Sequence, residues 1–269
     1  MTKRIFITGA STGLGKATAI LFSQHGWDVI VTMRSPESAI DFKAFPNISV
    51  MALDVTNSAQ IKSVAEEAIK LGNIDVVFNN AGYGLAGPFE GATDKQLTDE
   101  IDTNLLGVLR VTQAFIPHFR EKKSGLFITT TSIGGFVTFP YNSVYHATKW
   151  ALEGWSESMA FELKPFGIGI KTVAPGGIKT DFASRSLQMS EHPAYKEKVQ
   201  KVLEIFVNPE RISKGSTSKQ IAEVVYEAAT DGKEQLRYIA GADAKAVYAQ
   251  RLQVGDEVFR AGIEKVFFG

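Results

Sequence analysis

Six short runs of the chain, RIFIT, DVIVTM, ISVMAL, IDVVFN, GLFITTT and IGIKTVA, are rich in β-branched residues and apolar on both faces. A strand that offers water neither face belongs in the interior of a parallel sheet. Between the runs lie stretches of helical period at 14–25, 58–71, 94–122, 143–165 and 218–230, the third expected to break near Pro117. Parallel strands need long, right-handed crossovers, so the alternation predicts an α/β fold: a doubly wound parallel sheet with helices on both faces. LRYIAG adds a late strand, for about seven in all.

No Pro/Gly/Ser-rich linker or change of composition divides the 269 residues. The chain therefore reads as a single domain over 1–269. It carries a substrate-loop insertion at about 182–217, longer than an ordinary strand-to-helix connection, and a tail at about 244–269 that reads as a helix with an apolar end. Acidic and basic residues balance at 29 each, so no net field favours nucleic acid, an anionic membrane or an acidic partner. The absence of cysteine excludes disulfides, thiolate metal sites and a cysteine nucleophile. His25, His118, His146 and His192 lie far apart and form no metal-binding pair. With neither a signal peptide nor an apolar run of membrane-spanning length, the expected location is cytoplasmic.

ITGASTGLG follows the first strand and opens the first helix, with glycines at 9, 13 and 15. Glycines there allow a tight turn and close backbone approach, so free N–H groups at a helix N-terminus face a pyrophosphate in a Rossmann-type site. Gly9, Ser11, Thr12, Gly13, Leu14 and Gly15 are thus candidate cofactor contacts. The lysine of a triphosphate-binding loop is missing. The second strand ends in VTMRSPES, where NAD-binding domains carry a carboxylate for the ribose hydroxyls. Met33 stands at that point and Arg34 follows, a guanidinium suited to the 2′-phosphate of NADP, making NADP the expected cofactor and NAD the lesser one.

LDVTN ends the third strand, and Asp54, beside Val55, either accepts a hydrogen bond from the adenine amino group or caps the next helix. NNAG ends the fourth strand at the sheet edge where such folds bind ligands. The small Ala81 and Gly82, after Asn80, let a cofactor lie against backbone.

SVYHATKW places Tyr145 four residues before Lys149. Positions i and i+4 of a helix share a face, whereas His146, turned by about 100°, points elsewhere. A phenol has a pKa of about 10, and bringing it near 7 takes about 4 kcal/mol. One ammonium about 5 Å away at an effective dielectric of about 20 supplies about 3 kcal/mol. The lysine is therefore expected to lower the tyrosine toward neutrality for proton transfer with an alcohol or ketone oxygen.

TGASTGLG, NNAG, Asn104 in DTNLLG, Ser132 in TTTSIGG, YxxxK at 145–149 and PGGIKT at 175–180 together resemble the short-chain dehydrogenase/reductase family over nearly the whole chain. Their joint order is far more specific than any one of them, including the thirteen-residue step from Ser132 to Tyr145. ATKWALEGWSESMAFELKPFGI is similar to the branch that contains hydroxysteroid and retinol dehydrogenases. The resemblance implies a catalytic set of Asn104, Ser132, Tyr145 and Lys149. Ser132 would hold the reacting oxygen for hydride transfer. Lys149 would also bind the nicotinamide ribose, and Asn104 would help keep a water in a proton relay. Pro175, Gly176, Ile178 and Thr180 would contact the nicotinamide. It also implies pairing of subunits, as a homodimer or homotetramer, through the helices at 94–122 and 143–165.

Phe136, Phe139, Tyr141, Phe182, Leu187 and Met189 are expected to line an apolar substrate pocket under a mobile lid, unless they are ordinary core residues. The tail alternatively covers that pocket. The leading function is NADP(H)-dependent interconversion of a hydrophobic carbonyl and its alcohol. A dinucleotide-binding sensor or scaffold without turnover, and an epimerase or dehydratase on the same scaffold, are the alternatives. A pure binder has no need of the serine–tyrosine pair.

Overall fold

The computed structural model describes residues 2–179 and 187–269. The expected alternation is realised as seven parallel strands: β1 (Arg4–Thr8), β2 (Asp28–Met33), β3 (Ile48–Ala52), β4 (Val76–Asn79), β5 (Gly125–Thr130), β6 (Ile168–Pro175) and β7 (Arg237–Ala240). Across the sheet they run β7-β6-β5-β4-β1-β2-β3. The order reverses between β1 and β4, where Ile5, Phe6 and Ile7 lie beside Val76, Val77 and Phe78. Strand ends diverge at such a switch point and leave a crevice.

Alternate side chains of each strand enter different cores. Ile5, Ile7, Val29, Val31 and Phe78 meet helices α1 (Gly13–Gln24) and α8 (Ser218–Thr230) through Ala19, Phe22, Ile221 and Val225. Phe6, Ile30, Val77 and Phe127 meet α2 (Ser58–Lys70) and α4 (Gly107–Lys122) through Ile61, Val64, Val111, Phe115 and Phe119. The strands are thus covered on both sides, as their sequence demanded.

Three elements depart from expectation. The 94–122 stretch is divided well before Pro117: α3 (Asp94–Ile101) passes into a π-helical turn (Asp102–Leu106) and then into α4, which contains the proline. A π-helical turn inserts an extra residue into the helical ladder and is frequent at functional sites. Here it contains Asn104. Over its described residues, 187–217, the insertion contains a short strand (Leu187–Met189) paired to Gly84–Ala86, helices α6 (Lys196–Phe206) and α7 (Pro209–Lys214), and strand Ser216–Thr217 paired to Ile178–Lys179. The tail forms two helices, α9 (Ala242–Val254) and α10 (Asp256–Phe268), because Gly255 at φ 79° takes the left-handed region that glycine enters cheaply. Among the described residues no helix is long and apolar enough to cross a membrane.

Candidate active site

The β1-to-α1 turn fits a pyrophosphate. Gly9 has φ 67°, and a Cβ there would lie 2.7 Å from the Cα of Ala81, so the turn packs directly on the NNAG segment. A Cβ on Gly15 would lie 2.4 Å from the Gly9 carbonyl oxygen. Thr12 is the N-cap of α1 but its side chain makes no cap bond, and the first turn carries no acid. The first N–H groups of α1 are therefore left for an anion. Ser11 lies in the same turn and Leu14 is buried against the core.

Asn80 staples this turn to the sheet. Its Nδ2 donates to the carbonyls of Thr8 and Gly9 at 3.1 and 3.0 Å, and Thr130 Oγ1 donates to its Oδ1 at 3.3 Å. The N–H groups of Asn80 and Ala81 both donate to Thr8 Oγ1. Arg34 is exposed just past the end of β2, beside buried Met33, and no carboxylate among the described residues forms an ion pair with it. Asp54 does not cap α2. Its Oδ1 accepts from the N–H and hydroxyl of Thr56, closing a turn, and Asn57 is the cap residue, accepting from Gln60 N–H. Val55 is buried against Gly107.

Ser132 ends the turn after β5 and its Oγ accepts from Gly134 N–H at 2.9 Å. Tyr145 and Lys149 lie on one face of α5 (Ser143–Leu163), with the Lys149 ammonium 5.6 Å from the centre of the tyrosine ring. Lys149 Nζ donates to the Thr130 carbonyl at 3.0 Å. A Cβ on Gly82 would lie 2.9 Å from Asn104 Oδ1 and 3.9 Å from Lys149 Nζ, which brings the end of β4 to the same place. Ser132, Tyr145, Lys149, Gly82 and Asn104 therefore converge at the C-terminal ends of β4 and β5.

The electrostatics differ from expectation. Burial pushes the Tyr145 phenol up to about 12, its hydrogen bond with Ser132 lowers it in part, and the carboxylate of Glu100 raises it further. Desolvation also draws the Lys149 ammonium down to about 8, while Glu100 and Glu153 hold it up in part. Desolvation outweighs the single-charge estimate, and the phenol is held protonated.

Asn104 is fully buried. Its Nδ2 donates to the Tyr83 carbonyl at 2.7 Å and to Glu100 Oε1 at 3.0 Å, while its Oδ1 accepts from Tyr83 N–H at 3.0 Å. Both amide hydrogens are thus committed inside the protein. Glu100 was not among the expected site residues. It stands one helical turn before Asn104, in DEIDTN.

His146 is buried in a structural role. Its Nδ1 donates to the Gly134 carbonyl at 2.8 Å and its Nε2 accepts from Phe139 N–H at 3.0 Å. A carbonyl only accepts and an N–H only donates, so the tautomer is fixed, and burial keeps the ring neutral.

At the nicotinamide segment, Gly176 N–H donates to Ala240 and Gly177 N–H to Asp243 Oδ2 at 2.7 Å. A Cβ on Gly176 would lie 2.3 Å from Asp243 Oδ2. Pro175 ends β6 and Ile178 pairs with Ser216. Thr180, like Phe182, lies outside the described residues.

Of the expected pocket residues, Phe136 is instead core, packed on Tyr248 with ring centres 5.0 Å apart. Phe139 meets Phe206 of α6 and Phe267 of α10, which meet each other, and Tyr141 meets Tyr195 and Phe268. Leu187 and Met189 are partly buried in their short strand. An open cavity of about 510 Å³ is bordered by Phe139, Tyr141, His146 and Trp150, while Tyr145 and Lys149 are not in its lining.

The sequence model of the short chain dehydrogenase family matches residues 3–191. A 17-beta-hydroxysteroid dehydrogenase type 1 of Homo sapiens is 33% identical over 198 residues, covering 70% of this chain and 60% of that protein. A short-chain dehydrogenase structure from Streptomyces avermitilis superposes with a TM-score of 0.85 at 34% identity, covering 98% of this chain and 95% of that one. The structure of ElxO with NADP bound superposes at 0.77 with 27% identity, covering 91% and 100%. With the match running across both the phosphate turn and the tyrosine–lysine helix, this chain belongs to the short-chain dehydrogenase family, oxidoreductases that bind a nicotinamide dinucleotide.

Proposed function

We propose that this protein is an NADP(H)-dependent reductase of hydrophobic carbonyl compounds, working through Ser132, Tyr145 and Lys149. The observation that carries the reading is the convergence of Ser132 and the Lys149 ammonium on the Tyr145 phenol at the end of the sheet, where burial keeps that phenol protonated. A phenol so held keeps its proton at neutral pH and suits donation to a carbonyl oxygen that becomes an alkoxide. When bound, the dinucleotide supplies the hydride. Ser132 Oγ holds the carbonyl oxygen, Tyr145 gives that oxygen its proton, and the Lys149 ammonium stabilises the phenolate left behind.

The first turn of α1 holds the pyrophosphate, with Gly9 and Gly13 in left-handed conformations. Arg34 faces the 2′-phosphate, which favours NADPH over NADH. ElxO, solved with NADP, supports the same preference. The aromatic cluster of Phe139, Phe206 and Phe267 and the hydroxysteroid dehydrogenase among the relatives support an apolar substrate. Subunits pair through α4 and α5, the latter exposing Trp150 and Phe161. The single domain carries its insertion and tail on the substrate side.

The test is NADPH oxidation measured against NADH with a panel of apolar and polar carbonyls. Turnover confined to small sugars overturns the apolar assignment, and dinucleotide binding without turnover on any carbonyl overturns the reductase. Sedimentation that shows only monomer removes the pairing.

A further inference from the structure

Glu100 is the one buried residue of α3, with no exposed surface. Asn104 Nδ2 donates to its Oε1 at 3.0 Å, and the backbone N–H of Leu85 also reaches the carboxylate. Its Oε2, enclosed by protein, has no hydrogen-bond partner. No lysine or arginine among the described residues forms an ion pair with it, although a buried carboxylate ordinarily has a cation in contact.

Helix α3 packs against α5 and against the strand Gly84–Ala86. The groups that meet the carboxyl are therefore Tyr83 and the Leu85 N–H from that segment, Lys149 and Tyr145 from α5, and Asn104 from its own stretch of chain, while Asp99 acts on Tyr83 and Glu153 on Lys149. Its charge acts on all three titrating side chains around it. It raises the phenols of Tyr83 and Tyr145 and supports the ammonium of Lys149. Burial in turn pushes Glu100 up to about 7, against the pull of Lys149.

We propose that Glu100 is a positioning residue of this site that touches neither substrate nor cofactor: it locks Asn104 by a hydrogen bond and, by gaining or losing its charge, sets the protonation of Lys149 and Tyr145. The inference rests on the reading of Tyr145 and Lys149 as the proton-transfer pair. With the carboxylate charged, both α5 groups hold their protons more tightly. With it neutral, both release them at lower pH.

Glu100→Gln keeps an oxygen for Asn104 Nδ2 and removes the charge. The alkaline limb of kcat/KM in carbonyl reduction is expected to move down by about half a pH unit or more, the influence of one charge across a shielded site. The neutral-pH KM for dinucleotide is expected to hold. Glu100→Leu, which removes the acceptor as well, loses activity that Glu100→Gln retains. A second readout needs no turnover: the titration of the Lys149 side chain by carbon-13 lysine resonances, assigned with Lys149→Arg, moves down in Glu100→Gln. Superimposable titrations of wild type and Glu100→Gln overturn the inference, as does an unmoved pH–rate profile. If no carbonyl is reduced at all, the proposed function falls while the lysine titration still decides the role of Glu100.

Discussion

His146 Nδ1 donates to the carbonyl of Gly134 across 2.8 Å, and the N–H of that same glycine donates to Ser132 Oγ across 2.9 Å. One residue thus links an imidazole whose two nitrogens are both bonded to main chain to a hydroxyl proposed to hold the substrate. A Cβ on Gly134 would lie 2.7 Å from His146 Nδ1, so the contact tolerates no extra atom. Replacing His146 with leucine removes both ring bonds and leaves Phe139 N–H without its acceptor. The expected result is a fall in kcat of about tenfold or more, because small misplacements of a positioning group are costly. Cofactor affinity stays unchanged. Steady-state kinetics with a dinucleotide titration separates the two quantities.

Tyr145→Phe removes the phenolic proton and keeps the ring. Carbonyl reduction is expected to fall by about 10² to 10⁴, the usual scale of general acid catalysis. Dinucleotide affinity, measured by fluorescence titration, persists. A fully active variant would remove the proton-donor assignment.

Arg34→Asp places a carboxylate where ribose hydroxyls would be bound and repels a 2′-phosphate. The ratio of kcat/KM for NADPH over NADH is expected to fall by about 100-fold, the loss of a charge-assisted contact worth about 2–3 kcal/mol. Initial rates with each cofactor measure it. An unchanged ratio would mean that Arg34 does not meet the phosphate.

Folding stability carries its own pH signature. Glu100 stands near 7 in the folded protein against an ordinary 4.5. Between those values the folded chain binds more protons than the unfolded one, so stability is greatest below the lower value and falls as pH rises toward the upper. The ceiling on that loss is about 3 kcal/mol. Urea midpoints from pH 4 to 8 should decline in wild type and decline less in Glu100→Gln. A parallel decline in both would show that other groups dominate.

Phe115 is fully buried, with its ring centre 4.8 Å from that of Phe6, between α4 and the sheet. Phe115→Ala is expected to cost about 3–5 kcal/mol, since the site is walled by strands that collapse poorly. Chemical denaturation reads the loss directly.

The sheet was legible because its strands are apolar on both faces, and helical period joined Tyr145 to Lys149 without coordinates. Glu100 was not legible: it sits in DKQLTDEI, a polar stretch that reads as a solvated face, and only packing against α5 encloses it. Pro117 was a misleading signal. The proline is absorbed within α4, and the interruption occurs at 102–106, where no breaker residue marks it. The sign of the Tyr145 shift was lost for a similar reason. Spacing gives the distance to a charge, but desolvation depends on residues brought in from other elements.

The place of β1 in the middle of the sheet has a kinetic consequence. Its partner β2 follows closely, but Val76, which lies beside Ile5, arrives about 70 residues later. Closing so long a loop costs entropy before any pairing repays it, and parallel sheets form slowly for that reason. Until β4 docks, one edge of β1 stands open to a neighbouring chain, so recovery from denaturant should depend on protein concentration.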